Sequence, residues 1–438
     1  MTETALNIIL VVVGSLVLFL GIVSQLIRKW NFSQPFIALI VGFLLSLITS
    51  PVFNSGFWNH YLLQEAARTS LAIGVMGVAL RIPYTYTLKN WRSIVPMLGI
   101  VMPFMWIINS LLIYWILDFS FLLALLMGAI MTPTDPILSL SILSGKLAKD
   151  NLPENLRYLI SVESGSNDGL GYPFVLLPIL LITCRPEEAI SHWLIHTLLW
   201  EVGAAVALGA IIGYIAGYLL RTALSKKTID QSSYVSYTLA MALIVLGSVK
   251  LLGSDGILAV FAAGTLFNMT STAKQRYDED RVVEGMDRFF TIPVFTLLGL
   301  VAPWQEWIKL GWNGLLLAFL ILLLHRIPIL FLIRPLVPVI KSNLNSLLAG
   351  WFGPVGIAAF YYAQFSIIQT GTEEIWPVVS LVICMSIVLH GITATPFTKL
   401  YGRLSSEKSK QNSKKSEQSQ ENFKKNQKFK PQKVNNLL

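Results

Sequence analysis

The chain of 438 residues is too apolar for a water-soluble protein. Hydrophobic residues make up 54% of it, charged residues only 13%, and the mean hydropathy is +0.63, whereas soluble domains carry about 25% charged residues. We do not attribute the net charge of +9 to nucleic-acid binding, because the basic residues lie in short loops and in a polar C-terminal segment, as expected for a membrane protein. Composition therefore predicts an integral membrane protein.

Apolar runs recur along the chain, and each is long enough to cross a hydrocarbon core about 30 Å thick. The runs do not alternate between polar and apolar residues, so they predict helices rather than strands of a barrel. We predict an all-α polytopic membrane protein with about 13 transmembrane helices. The spans are expected near residues 7–27, 35–53, 63–80, 93–117, 119–145, 155–182, 191–220, 232–252, 253–270, 284–302, 308–338, 343–369 and 375–400.

The basic residues of the loops predict the orientation of the chain. With the N-terminus outside and an odd number of spans, most loop lysines and arginines fall on the cytosolic side. The acidic loop around Glu187 and Glu188 then lies outside. Residues 401–438 are rich in Lys, Ser, Gln and Asn, and we predict that they form a disordered, basic, cytosolic tail.

Two of the predicted spans are interrupted. Residues 132–136 (Thr-Pro-Thr-Asp-Pro) break span 5, and residues 350–356 (Gly-Trp-Phe-Gly-Pro-Val-Gly) break span 12. Proline and glycine free backbone groups that must find partners inside the membrane. The breaks occupy the middle members of spans 4–6 and 11–13, which start on opposite sides of the membrane. This pattern predicts an inverted repeat whose broken helices cross near the bilayer midplane, as in secondary transporters.

Asp135 is the first candidate site residue. It lies between Thr134 and Pro136, a sequence typical of a helix start with Asp as the N-cap and Pro in the first turn. A helix that starts in mid-membrane presents a positive dipole end, which an anion complements. We therefore expect Asp135 to contribute to an ion site.

Two further acids lie within span 6. Glu163 and Asp168 are five residues apart, about 140° around a helix, so they can serve different partners. A cytosolic loop is the alternative interpretation, but no charged residue follows Asp168 until Arg185. A carboxylate at the bilayer centre costs several kcal/mol unless it is hydrated, paired or protonated, so both acids are candidates for function.

Arg326 lies inside span 11, next to Ile327-Pro328. Its guanidinium cannot deprotonate, so a buried position requires a carboxylate partner. Glu163 is the best candidate, because Asp168 has to stay free to bind ions. Snorkelling of the side chain to the membrane surface is the alternative.

Several motifs resemble those of the monovalent cation/proton antiporters, of the sodium/proton exchanger type. The resemblance is strongest to the plasma-membrane Na⁺/H⁺ antiporters of fungi and related eukaryotes, and it extends over nearly all the membrane part. The motifs are Ala79-Leu80-Arg81-Ile82-Pro83, Thr134-Asp135-Pro136, Ser144-Gly145-Lys146, Leu156-Arg157, Glu163-Ser164-Gly165-Ser166-Asn167-Asp168-Gly169, Asp255-Gly256-Ile257-Leu258-Ala259, Arg326-Ile327-Pro328, Gly353-Pro354-Val355-Gly356 and His390-Gly391-Ile392-Thr393.

The resemblance implies a core bundle, a dimerisation domain, homodimers in the lipid bilayer and elevator-like alternating access. The implied domains are residues 1–92 (N-terminal dimerisation spans), 93–182 (first half of the core), 183–307 (dimerisation and linker spans), 308–400 (second half of the core) and 401–438 (tail). It implies that Na⁺ binds near Asp168, with contributions from Thr134, Asp135, Ser164 and Asn167, and that Glu163 pairs with Arg326. Some prokaryotic members carry a glutamate in the third span, where this chain has Gly77.

These residues suit exchange without a cofactor. Hard oxygen ligands favour Na⁺ and Li⁺, with K⁺ as a further candidate, and Asp168 can hold either a proton or a cation but not both. We expect a Na⁺/H⁺ antiporter of the plasma membrane with a role in pH homeostasis. An intramembrane enzyme using Asp135 and Asp168 and a cation channel lined by acids are the alternatives. Neither aspartate lies in a protease-like motif, and no filter-like repeated loop is present.

Overall fold

The computed structural model describes residues 11, 14–19, 21–22, 33–53, 59–139, 143, 145–226, 228–229, 233–269 and 290–428. All regular elements within these residues are helices. In chain order they are α1 Gln34–Phe53, α2 His60–Arg81, α3 Tyr84–Lys89, α4 Trp91–Leu117, α5 Phe121–Ile130, α6 Gly145–Asn151, α7 Glu154–Thr183, α8 Pro186–Ser225, α9 Ser233–Leu251, α10 Gly256–Asn268, α11 Phe290–Leu300, α12 Trp304–Leu324, α13 Ile327–Ile333, α14 Asn343–Trp351, α15 Ile357–Thr370 and α16 Ile375–Lys428. Much of predicted span 1 and the start of predicted span 10 lie outside the described residues.

Several helices have the length and composition of membrane spans. Within the described ranges, five helical segments are long and apolar enough to cross a membrane. They are α4, α8, α9, residues Trp304–Leu336 and residues Ile375–Glu407 of α16. Shorter apolar helices include Phe121–Ile130, Gly256–Asn268 and Phe290–Leu300. The protein is thus an all-helical integral membrane protein, and the count of about 13 spans stays a prediction.

Helices α8 and α10 pack unusually closely. A methyl group added at Gly209 or Gly213 of α8 would collide with the backbone of Ala259 or Ala263 of α10. Small residues four apart on one helix face permit this approach of two backbones in lipid. The pair forms a rigid scaffold beside α7, whose Gly169 lies against Leu258 of α10.

Three interruptions separate short helices within the apolar part of the chain. The helix α5 ends at Ile130 and residues 131–139 are not helical. The helix α12 ends at Leu324 and α13 begins at Ile327. Residues 352–356 separate α14 from α15. In contrast, α7 runs without a break through Pro173 and Pro178, so it presents its acids on one continuous helix.

The C-terminal segment differs from the prediction. The helix α16 extends from Ile375 to Lys428, so residues 401–428 are helical rather than disordered. No proline interrupts the chain between Pro396 and Pro431, Lys, Glu and Gln favour helices, and the preceding apolar span supplies the costly nucleus. Residues 429–438 lie outside the described residues.

Candidate functional site

Four segments, three of which carry the predicted site residues, meet inside the helical bundle. These segments are the break at 131–139, the middle of α7, the bend before α13 and the break at 352–356. The seven predicted site residues, all in the first three of these segments, have side chains that are no more than 1% exposed. They are Thr134, Asp135, Glu163, Ser164, Asn167, Asp168 and Arg326.

Asp135 joins the two breaks. Its Oδ1 accepts hydrogen bonds from the backbone N–H groups of Ile137 (2.7 Å) and Leu138 (3.2 Å). Its Oδ2 accepts one from Ile357 N at 2.8 Å, and its own backbone N–H donates to Pro354 O at 2.7 Å. The carboxylate therefore caps the turn at residues 136–139 within the first break and the N-terminus of α15, a double role that satisfies several otherwise orphaned donors.

Gly356 allows this contact. A Cβ atom at position 356 would collide with Oδ2 of Asp135. The backbone of Gly356 has φ −152° and ψ −127°, so contact with the carboxylate, rather than a left-handed conformation, is what requires glycine here.

We expect Gly356→Ala to lower thermal stability, because the methyl group displaces Asp135 and leaves a buried N–H unsatisfied, at a cost of about 1–3 kcal/mol. The melting temperature of the purified protein in detergent measures the effect. The control is Gly247→Ala on α9, where an added methyl group meets nothing within 4 Å. Equal melting temperatures for the two variants would contradict this role of Gly356.

Arg326 and Glu163 form a buried salt bridge with two hydrogen bonds. Nη2 of Arg326 lies 2.7 Å from Oε2 of Glu163, and Nη1 lies 3.1 Å from Oε1. The arginine lies at the bend between α12 and α13, and a Cβ at Gly353 would come within 2.6 Å of its Cδ and Nη1. The second break thus leaves the space through which the guanidinium reaches α7.

Asn167 connects the salt bridge to the first break. Its Nδ2 donates to Glu163 Oε1 (2.8 Å) and to Thr134 Oγ1 (2.9 Å), while its Oδ1 accepts from Thr134 N (3.1 Å). Thr134 Oγ1 also lies 3.1 Å from Ser164 Oγ and 3.3 Å from Nη1 of Arg326. Both ends of the Asn167 amide are therefore engaged by protein groups, which holds Thr134 in a fixed position.

Asp168 differs from the other acids of the site. It is fully buried, and neither of its carboxylate oxygens accepts a hydrogen bond from any residue in the described part of the chain. It lies one turn from Ser164 on the same face of α7, and Ser164 contacts Thr134. A buried carboxylate without partners is too costly to remain as a bare anion, so Asp168 is the group suited to take up a proton or a cation.

Two features of the site were not predicted. Tyr362 of α15 donates its hydroxyl to the backbone O of Asp168 at 2.6 Å, and a tyrosine inside an apolar helix gives no sequence signal that separates this contact from ordinary packing. The capping of Ile357 by Asp135 was also not foreseen. Gly77, the position at which some prokaryotic members carry a glutamate, is buried in α2. The only acid of α2 is Glu65, which pairs with Arg68.

The chain is similar to known cation/proton antiporters. Residues 14–400 match the sequence model of the family described as sodium/hydrogen exchanger, transmembrane. The chain is 32% identical over 433 residues to a Na⁺/H⁺ antiporter of Schizosaccharomyces pombe, and the match covers 91% of this chain and 92% of that protein. It is 30% identical to a Na⁺/H⁺ antiporter of Saccharomyces cerevisiae, over 85% of this chain and 41% of that protein.

More distant relatives and one fold match extend this similarity. A K⁺/H⁺ antiporter, NhaP2, of Shewanella sp. (strain ANA-3) is 26% identical over 67% of this chain and 50% of its own length. The fold resembles that of the sodium proton antiporter MjNhaP1 from Methanocaldococcus jannaschii, with a TM-score of 0.69 and 17% identity, over 91% of this chain and 99% of that one.

The chain thus spans nearly all of the Schizosaccharomyces pombe relative but about half or less of several others. These relatives are named as transporters rather than as enzymes. The family resemblance expected from the motifs is confirmed. This protein belongs to the sodium/hydrogen exchanger family.

Proposed function

We propose that this protein is a secondary active antiporter that exchanges Na⁺ for H⁺ across a membrane by alternating access, with proton and cation competing for Asp168. The observation that carries the proposal is the buried Asp168 carboxylate, whose oxygens accept no hydrogen bond from the described residues. The family membership and the Na⁺/H⁺ antiporters among the relatives support it.

Competition at one carboxylate couples the two fluxes. Asp168 requires either a proton or a cation to offset the cost of burial, and binding one excludes the other. A carrier with a bare Asp168 anion is too costly to reorient, so each change of access carries one of the two ligands. Exchange follows from this restriction without a cofactor.

The oxygens near Asp168 suit a hard monovalent cation. We propose Thr134 and Ser164 as further ligands, because their hydroxyls lie 3.1 Å apart and Ser164 shares a face of α7 with Asp168. Asp135 adds negative charge to the site, but its oxygens already accept three backbone hydrogen bonds. Asn167 serves as a positioning residue, since both ends of its amide are engaged by Thr134 and Glu163.

The two breaks support an inverted-repeat architecture. We infer that residues 131–139 and 352–356 are the interruptions of two discontinuous helices that cross in the membrane, as in other secondary transporters. The hydrogen bonds that Asp135 makes with Pro354 and Ile357 join the two interruptions directly. We also propose that the protein forms homodimers in the plasma membrane, with its N-terminus outside and its C-terminus in the cytosol.

The site geometry favours transport over intramembrane hydrolysis by two aspartates. A hydrolase of that kind needs Asp135 and Asp168 to share a water molecule, whereas both oxygens of Asp135 cap backbone N–H groups. A channel would give no reason for a buried acid, Asp168, whose carboxylate oxygens have no hydrogen-bond partner among the described residues.

The test is dissipation of a pH gradient in proteoliposomes that contain the purified protein. We expect addition of Na⁺ or Li⁺ to dissipate the gradient saturably and in both directions. K⁺ is tested in parallel, because one group of relatives is named for K⁺/H⁺ exchange. Repeating the assay with the membrane potential clamped determines whether exchange moves net charge. Large uncoupled currents, or no response to any of the three cations, would contradict the proposal.

A further inference from the structure

A second pair of buried acids lies outside the network of Asp168 and Arg326. Asp255 caps the N-terminus of α10, where its Oδ1 accepts from Ile257 N at 2.9 Å. Asp255 is only 7% exposed, and its Oδ2 is buried and accepts no hydrogen bond within the described residues. Glu201 of α8 has a similarly unpartnered, buried Oε2 among these residues. Capping explains one oxygen of Asp255 and leaves the other without a structural role.

The backbone holds these two acids close together. The N–H group of Asp255 donates to Glu201 O at 3.1 Å, and Ser254 Oγ donates to the same oxygen at 2.7 Å. The carboxylate of Asp255 interacts electrostatically with that of Glu201 and with Lys250 of α9, a lysine that is exposed. The close packing of α8 on α10 makes the arrangement rigid. Two acids of like charge thus lie near one another, each with one buried carboxylate oxygen that has no hydrogen-bond partner among the described residues.

The acids lie between Asp168 and one surface of the membrane part. Oε1 of Glu201 accepts from the hydroxyl of Tyr172 at 3.1 Å, and Tyr172 lies one turn, about 6 Å, beyond Asp168 along α7. The direction from Asp168 to Tyr172 leads on toward Thr183, at the C-terminal end of α7. The distribution of basic residues among the loops predicts that this end is external. Nδ1 of His196, which is half exposed, lies 3.8 Å from Oε1 of Glu201. The side chains of His196, Glu201 and Tyr172 therefore form a row that leads from the surface toward Asp168.

We propose that Glu201 and Asp255, with the hydroxyl of Tyr172, form an access site at which monovalent cations bind on their way between the predicted external surface and Asp168. The inference rests on the proposed exchange function. Carboxylate and hydroxyl oxygens are the ligands that alkali cations prefer, and two largely buried acids raise the local concentration of cations. The access site binds the cation transiently, whereas Asp168 carries it across.

The test is the Michaelis constant for Na⁺, measured separately on each face in sealed right-side-out and inside-out vesicles. In Asp255→Asn we expect the Michaelis constant on the Thr183 face to rise about tenfold, because one carboxylate's attraction is lost at an effective dielectric constant of about 20. The constant on the opposite face and the maximal rate should stay unchanged. Asparagine keeps the helix cap, and Glu201→Gln is the second variant, with the same expected asymmetry.

The matched control is Glu306→Gln. Glu306 is an acid of α12 that is 44% exposed and pairs with Lys309. Because α12 begins on the same predicted face, loss of the Glu306 charge tests for a general effect of surface charge. Michaelis constants that change equally on both faces, or on neither, in Asp255→Asn and Glu201→Gln would overturn the access site, as would an equal rise in the control. If Asp255→Asn does not fold, Glu201→Gln decides. Wild-type protein that does not exchange Na⁺ for H⁺ would instead refute the function on which the inference rests.

Discussion

Asp168→Asn is expected to abolish Na⁺/H⁺ exchange while leaving the protein folded. The amide nearly keeps the shape of the side chain but cannot alternate between a proton and a cation, and the wild-type carboxylate oxygens contribute no hydrogen bond within the described part of the fold. The measurement is the initial rate of pH-gradient dissipation after Na⁺ addition, together with the melting temperature. An Asp168→Asn protein that exchanges at a near-normal rate would refute the assignment.

Asp135→Asn is the control, since it also replaces a buried acid of the same site. The single amide oxygen of asparagine can keep the hydrogen bonds from Ile137 and Leu138, but the amide nitrogen cannot accept the one from Ile357. We therefore expect a loss of stability of about 1–3 kcal/mol for an unsatisfied buried donor, which Asp168→Asn should not show. The two variants separate a group that binds the ion from one that holds the site together.

The same competition makes the apparent affinity for Na⁺ depend on pH. Below the pKa of Asp168 each unit of acidification multiplies the protonated form by ten, so the apparent affinity should fall about tenfold per unit. Above the pKa the affinity should become constant, and at very high pH turnover should slow because protons become scarce for the return step. Exchange rates against Na⁺ at several pH values in reconstituted protein provide the measurement. An affinity independent of pH in the acidic range would contradict competition at this group.

Arg326→Ala is expected to destabilise the protein strongly. It leaves Glu163 buried without its partner, and loss of one member of a buried ion pair costs about 3–5 kcal/mol. In the double variant with Glu163→Ala part of this loss should be recovered, because no uncompensated charge remains. The melting temperatures of the two single variants and the double variant form the mutant cycle. Strict additivity would show that the two residues do not interact.

The comparison for this cycle is the pair of Glu65 and Arg68 on α2. These side chains are 30% and 18% exposed, so water screens their interaction and the coupling should be about 1 kcal/mol or less. A coupling in the Glu163–Arg326 cycle no larger than that of the α2 pair would contradict a special role for the buried salt bridge.

The amino-acid sequence alone determined the class of the protein and the family to which it belongs. The low charge content and the long apolar runs indicate a helical membrane protein because a bilayer leaves few other ways to satisfy the backbone. The charged residues inside those runs identify candidate site positions for the same reason, since a bilayer tolerates them only where they have partners or a function. Local composition was less informative for residues 401–428, where helix propensity and continuity with α16 outweigh polarity.

Only the tertiary structure decided how the acids of the site differ. Asp135 and Asp168 each follow a polar neighbour in an apolar run, and both are fully buried. Yet Asp135 is satisfied in part by the backbone of Ile357, 222 residues away, whereas Asp168 has no hydrogen-bond partner for its carboxylate in the described structure. Whether a buried carboxylate is a structural cap or a free ligand depends on which distant donors the fold brings within hydrogen-bonding distance, and such donors leave no pattern around the acid itself.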